Sequence, residues 1–370
     1  MLNDAVDLST LHRALVIKLR HHGDVLLTSP VFQVLKNHAP HLDIDALVYR
    51  DTREMLTAHP AISEVHTIDR GWKNLNPIAQ GAAEWKLLRA LMARRYDLVV
   101  HLTNHPRGAW LTRLVGPKVS VAQRAQGINE GRDSRLWKRS FTHTYPTPLT
   151  THRHTVESNL DALRRIGIYP SAAEKNLVLV PGADAEKKVE QLLALHNVTP
   201  KRFIHMHPTS RWMFKTWPAG KFAQLIHELG KNGERVVLTA APDASERAMI
   251  AAIKTTLKAP VVDLTGSLSL KELAALTVRA RAFVGVDSAP MHMAAAMGTP
   301  IVALFGPSSE VLWGPWAKTF RIVSSKDFRH TCRPCGNDGC GGSKVSECLV
   351  ELPVAQVFDA LNEVLAQAGA

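Results

Sequence analysis

Two successive series of strand-like segments, alternating with helical ones, set the strongest limit on what this chain can fold into. In the first half, RALVIKL (13–19), DIDALVY (43–49), EVHTI (64–68), DLVVHL (97–102) and KVSVA (118–122) read as strands. Helical spacing lies between them, most clearly in AAEWKLLRALMARR (82–95), and a further helix follows at HTVESNLDALRRIG (154–167). The second half repeats the plan with RFIHMHP (202–208), RVVLTAA (235–241), VVDLTG (261–266), AFVGVD (282–287), TPIVALFG (299–306) and FRIVSS (320–325). Helices fill the gaps near 218–232, 245–257, 269–279 and 289–297. Such alternation predicts an α/β protein of two Rossmann-like, doubly wound parallel-sheet domains facing a cleft. At 370 residues the chain also exceeds one ordinary core. The expected division is a first domain over 1–170, a second over 171–350, and a closing amphipathic helix within 351–370 that packs back toward the first. The stretch from Tyr169 to Lys175 reads as the linker.

A formal charge of +12, from 45 basic and 33 acidic residues, favours anionic partners. No long Lys/Arg tract or basic helical face with interleaved aromatics is present, so nucleic acid is not the expected one. The opening MLNDAVDLST is polar and acidic, unlike a secretory signal. The longest uncharged run, Ser288 to Ser309, is long enough to span a bilayer, but Pro290, Gly298, Pro300, Gly306 and Pro307 break it. A cytoplasmic protein is expected, resting on the inner face of a membrane.

Four places carry candidate chemistry. The strand AFVGV runs into Asp287, Ser288, Ala289 and Pro290, after which MHMAAAM reads as a helix. Asp or Ser suits an N-cap and Pro the first turn, and the free N–H groups from Ala289 to Met291 would suit a diphosphate, with His292 one turn in. The same two residues would also serve an ordinary core helix as caps. A second anion cradle, His207-Pro208-Thr209-Ser210-Arg211, precedes Lys215, whose ammonium can act as a point charge on the diphosphate. After the next strand, Asp243 and Glu246 compete as the carboxylate that would bond ribose hydroxyls. In the first half, Lys18-Leu19-Arg20-His21-His22-Gly23-Asp24 follows strand one. Gly23 would permit a tight turn, and Asp24 at a helix start would stay ionised as a general base.

Cys332, Cys335, Cys340 and Cys348, spaced C-x2-C-x4-C-x7-C, could form a closed thiolate site for a structural Zn²⁺. The basic stretch with Arg124, Arg132, Arg135, Lys138 and Arg139 could hold acceptor phosphates or anionic lipid headgroups.

Together IKLRHHGDVLLTSPVFQVLK (17–36), HPTSRWMFKTWP (207–218) and VGVDSAPMHMAAAMGTPIVALFGPSS (284–309) resemble the ADP-heptose:lipopolysaccharide heptosyltransferases, glycosyltransferase family nine. The Cys-rich tail looks most like the heptosyltransferase III branch. The resemblance implies a GT-B fold and an inverting transfer that needs no metal or other cofactor. It implies ADP-heptose as donor and a phosphorylated lipid A–core oligosaccharide as acceptor, met at the inner membrane. On the matching positions it makes Asp24 the catalytic base and Lys215 the donor-phosphate lysine. Thr209 falls in the phosphate loop, and Asp287 and His292 form the donor-binding pair. The alternatives are a nucleotide-sugar epimerase or other GT-B transferase, a non-catalytic lipopolysaccharide- or nucleotide-sugar-binding protein, and a metal-dependent nucleic-acid binder built on the cysteines.

Overall fold

The computed structural model describes residues 4–103, 105–124, 135–146, 153–257, 260–325 and 330–369. The chain divides into two compact units, Met1–Val180 and Pro181–Ala370. The division falls later than the expected 170/171 boundary because the turn at Ala172–Lys175 is tied into the first unit. There Glu174 closes a capping box on Ser171 and accepts from Asn37, and Ser29 Oγ accepts from the Val178 N–H at 2.9 Å.

In the first unit the strands are β1 (Arg13–Lys18), β2 (Asp43–Tyr49), β3 (Glu64–Ile68), β4 (Leu98–His101), β5 (Val119–Arg124) and β6 (His143–Pro146). The helices are α1 (His22–Leu26), α2 (Ser29–His38), α3 (Pro77–Ala93), α4 (Pro106–Val115), α5 (Arg135–Ser140) and α6 (Thr155–Arg165). All strand pairs are parallel, in the order β3-β2-β1-β4-β5-β6.

The second unit contains β7 (Phe203–His207), β8 (Arg235–Leu238), β9 (Val262–Asp263), β10 (Ala282–Val286), β11 (Ile301–Phe305) and β12 (Phe320–Ser324). Its helices are α7 (Ala183–Leu195), α8 (Ala219–Lys231), α9 (Ala244–Thr256), α10 (Leu270–Arg279), α11 (Ala289–Ala296), α12 (Glu310–Trp313), α13 (Glu347–Val350) and α14 (Val354–Gly369). The order β12-β11-β10-β7-β8-β9, all parallel, repeats the first sheet's winding.

Both sheets are buried on two faces, because helical crossovers cover each side of a parallel sheet. Successive residues of a strand therefore enter different cores. Ile204 and Met206 of β7 join Leu225, Ile226, Val357 and Leu361, while Phe203 joins Val189, Leu193, Ala275 and Leu276 on the other face. The closing helix α14 places Val354, Val357, Leu361 and Val364 in the second unit's core, at helical spacing. Its apolar stripe is thus used within its own unit. Trp217 is fully buried beside it and donates from Nε1 to the Leu352 carbonyl at 3.0 Å.

In each sheet the winding direction reverses between the first and fourth strands, β1/β4 and β7/β10. Doubly wound sheets bind ligands in the crevice outside the carboxyl ends of those strands. The segments following β1, β7 and β10 are the motif-bearing ones at 19–24, 208–215 and 287–292.

Candidate active site

In the second unit, the loops after β7 and β10 meet. Lys215 ends a 3₁₀ turn (Met213–Lys215), and its Nζ donates to Asp287 Oδ2 at 2.6 Å, with the Trp212 ring 5.0 Å away. Asp287 is therefore held by a cation and does not cap α11. Ser288, at the cap position, makes no side-chain cap bond either; its hydroxyl donates to the Val286 carbonyl at 3.3 Å. The capping alternative fails for both residues. The first turn of α11, from Ala289 through Met291 to the buried His292, keeps its N-terminal donors clear of side-chain caps, next to an ammonium. That pairing of helix dipole and fixed cation suits a phosphate group.

The carboxylates after β8 separate by role. Asp243 is an exposed cap whose Oδ1 accepts from the Ser245 N–H at 2.9 Å and from its hydroxyl at 2.5 Å, and these bonds hold its pKa low. Glu246 is buried, and its Oε2 accepts from Thr209 Oγ1 at 2.6 Å and from the Ala241 N–H at 2.9 Å. Thr209 thus stands on Glu246, and the phosphate-loop residue and the candidate ribose carboxylate form one group. Ser210, also buried, turns its hydroxyl to its own loop and accepts from the Trp212 N–H at 3.3 Å.

Behind this group runs a buried polar chain that sequence reading did not anticipate. Thr209 Oγ1 lies 3.2 Å from His207 Nε2, His207 Nδ1 lies 2.8 Å from Thr239 Oγ1, and His205 Nε2 lies 2.7 Å from the same hydroxyl. His205 Nδ1 ends on Thr277 Oγ1 at 3.1 Å. Because Thr209 donates to Glu246, the His207 contact requires a proton on Nε2, leaving Nδ1 to accept from Thr239. Burial holds His207 neutral by lowering its pKa to about 3, and lowers His205 well below its usual value. The signal in the sequence was His at alternate positions 205 and 207 of an apolar strand.

The Cys-rich segment braces the same site. Arg333 donates to the carbonyls of Gly306 and Ser325, and Ser346 Oγ donates to the Phe214 carbonyl at 2.6 Å, inside the turn that carries Lys215. Of the cysteines, Cys348 is buried, Cys332 exposed, and Cys335 and Cys340 lie between. Burial raises the Cys348 thiol pKa, opposing thiolate formation. Among the described residues, the one His/Cys/Asp/Glu set whose ligand atoms approach mutually within 4.8 Å is Asp45, Glu64 and His66, and no three thiols do. The closed thiolate site suggested by the spacing is therefore not assembled. The Asp45 set does not fit an ion either. Asp45 accepts from Arg94 at 2.7 and 3.0 Å and from Tyr96 Oη at 2.7 Å, and His66, Arg94 and Tyr96 together lower its pKa to about 2 against the effect of burial.

In the first unit, β1 ends at Lys18, and the Leu19 N–H is fixed to Thr103 Oγ1 at 2.8 Å. Asp24 lies in the first turn of α1, its side chain 14% exposed, with Arg20 Nε 3.6 Å from Oδ1. Gly23 sits within α1 without the positive φ of a tight turn. Lys18 stands at the head of this motif. It is buried, donates from Nζ to Asn159 Oδ1 at 3.0 Å, and Asn159 in turn donates to the Leu27 carbonyl. Burial lowers the Lys18 pKa to about 8, and the charge of Asp24 partly restores it. A lysine closing an otherwise apolar strand was the available signal. Of the basic candidates, Arg124 ends β5, while Arg135, Lys138 and Arg139 are exposed on α5, whose Trp137 packs on His101 and Phe141. Arg132 lies outside the described residues.

Residues 84–340 match the model of glycosyltransferase family 9 (heptosyltransferase). The chain belongs to that family. It is similar to lipopolysaccharide heptosyltransferase 3 of Escherichia coli, with 35% identity over 348 residues that cover 94% of this chain and 97% of that one. In fold it is similar to a family 9 glycosyl transferase from Veillonella parvula, with a TM-score of 0.83, 22% identity and coverage of 99% and 100%. E. coli heptosyltransferase WaaC, solved with ADP, gives a TM-score of 0.70 at 19% identity, with coverage of 95% and 99%. Each of this chain's two units carries the Rossmann-like parallel sheet of the GT-B fold.

Proposed function

We infer that this protein is a heptosyltransferase that moves heptose from an ADP-heptose donor onto a heptose of the lipopolysaccharide inner core. The Lys215–Asp287 pair at the start of α11 carries this reading. It places a fixed ammonium and a helix N-terminus together, where a departing diphosphate gathers charge, and so supplies by protein groups what a metal supplies in other sugar transferases. Glu246, and not Asp243, is assigned to the ribose hydroxyls. One of its oxygens is held by Thr209 and Ala241 while the other remains for the ligand, and Asp243 is committed to its own helix.

Asp24 is assigned as the general base. It removes the proton from the acceptor hydroxyl, whose oxygen attacks the anomeric carbon as the bond to ADP breaks, with inversion. Its place after β1, in the switch-point crevice of the first sheet, supports the assignment. Arg124, Arg135 and Lys138 are assigned to acceptor phosphates on the strength of their exposure and charge. No step passes through a metal ion. The acceptor is lipid-linked, which places the enzyme against the inner membrane; no helix among the described residues is long and apolar enough to cross it.

The decisive experiment is Asp24→Ala assayed with ADP-heptose and a panel of truncated core oligosaccharides, alongside ADP binding by calorimetry. The reading expects transfer to disappear while ADP affinity stays within about twofold. An active alanine variant removes Asp24 from the mechanism, and alteration of ADP-heptose without any acceptor points to an epimerase instead.

A further inference from the structure

α3 is apolar on two sides. Its inner side places Leu87 and Leu91 in the core with Tyr96 and Val99. Its outer side carries Ile78, Ala82, Trp85, Arg89 and Met92, spaced four, three, four and three residues apart, which is one stripe of a helix. Ile78 is 87% exposed, Trp85 58% and Met92 49%. The neighbouring α4 repeats the pattern: Ala109 and Leu111 are buried, while Trp110 and Leu114, one turn apart, are each 51% exposed. An ion pair between Glu84 and Arg107 ties the two helices together. Single exposed apolar side chains are ordinary, but this many on two linked helices form a patch that needs an occupant.

The charges around the patch are of one sign. Lys73, Lys86, Arg89 and Arg113 are exposed and make no ion pair among the described residues, whereas Glu84, the one acid between Lys73 and Met92, is held by Arg107. A second copy of this chain, docked by the same face, would bring those cations against their own kind. Tryptophans with free lysines and arginines around them suit the headgroup zone of a bilayer, where the ring is half wet and the cation meets a lipid phosphate.

We propose that the outer face of α3 and α4 is the surface by which this protein lies on an anionic lipid bilayer. The occupant follows from charge complementarity and the two exposed tryptophans; the inference rests on the heptosyltransferase reading only in that a lipid-linked acceptor gives such docking a purpose. The face lies apart from Asp24 in the sequence and includes none of the residues assigned to donor or acceptor.

The test uses the intact protein and vesicles of phosphatidylcholine alone or mixed with phosphatidylglycerol, read by co-sedimentation and by tryptophan emission. Sedimentation with the mixed vesicles only, a blue-shifted emission, and release by high salt are expected. Lys86→Gln with Arg89→Gln is expected to weaken the vesicle affinity about thirtyfold, from ~1 kcal/mol per cation near an anionic surface. Trp85→Ala with Trp110→Ala should abolish the blue shift, and both double variants should keep transfer onto a delipidated core oligosaccharide. Wild-type protein left in the supernatant with phosphatidylglycerol, or variants that bind as it does, overturns the proposal. So does a dimer that Trp85→Ala dissociates, which would give the face to a second copy. Loss of transfer in every protein, with vesicle binding intact, retires the enzymatic reading and leaves the surface standing.

Discussion

Lys215 Nζ and Asp287 Oδ2, 72 residues apart in the chain, lie 2.6 Å from each other where the loops after β7 and β10 converge. Lys215 ends a 3₁₀ turn and Asp287 lies just past β10, and the parallel register of β7 and β10 brings the two loops together. Lys215→Ala is expected to weaken ADP binding by at least about tenfold, the loss of a charge-assisted contact of roughly 1.5–3 kcal/mol. Calorimetric titration of ADP against both proteins checks it. Affinity unchanged within twofold would leave the lysine as a tether for Asp287 alone.

Glu246 and Asp243 are three residues apart and do different work. Glu246→Gln should weaken ADP binding and remove discrimination between ADP and 2′-deoxy-ADP, because the lost carboxylate is the group assigned to the ribose. Asp243→Ala should leave both quantities alone and lower stability by ~1 kcal/mol, the usual loss of a capping side chain. An inverted pattern would return the ribose assignment to Asp243.

Lys18 is a test of function against stability. Its folded pKa of about 8 lies below the usual 10.5, so the folded state carries the cost of a buried charge below pH 8 and sheds it as pH rises toward 10.5. That gap corresponds to roughly 3 kcal/mol at neutral pH. Lys18→Met removes the cost but leaves Asn159 Oδ1 without its donor, a loss of ~1–3 kcal/mol. The variant is expected to melt near the parent or above it while losing most of its transfer rate, since the ammonium beside Asp24 is gone. A sharply destabilised variant with full activity would make Lys18 a structural tether.

Acid should loosen the fold before carboxylates titrate. His101 and His207 are held near pKa 3 by burial, so the unfolded chain takes up protons below about 6.5 while the folded chain does not. Stability is therefore lost as pH falls from 6.5 toward 3, by about 4 kcal/mol at pH 5 for the pair. Asp45, with a folded pKa of about 2, adds to the loss only below its unfolded value of 3.8. Urea midpoints at pH 7 and pH 5 measure the effect, and equal midpoints would mean that water reaches both imidazoles.

Much of this molecule was legible before any coordinate. Strands β2 and β3 have the boundaries that their apolar runs suggest, and the segments after β1, β7 and β10 carry the expected motifs. β6 and α7 stay hidden. β6 is four residues ending in a proline at the sheet's edge, and α7 shows only Ala185, Val189 and Leu193 as a narrow stripe among charged residues. The cysteine spacing suggested a thiolate cage, yet spacing along a glycine-rich loop does not decide how far apart the sulfurs end.

What the sequence determined by itself is periodicity and local chemistry: two wound parallel sheets, a helix beginning at Asp287-Ser288-Ala289-Pro290, and an acid at the start of α1. Tertiary structure decided which polar groups meet. Whether Asp287 caps α11 or holds Lys215, whether Asp243 or Glu246 reaches Thr209, and whether Lys18 is solvated or buried against Asn159 all depend on residues distant in the chain. The physical reason is one of range. Helix and strand preferences are local, whereas a hydrogen bond or ion pair acts over a few ångströms between groups that only the packed sheets bring together.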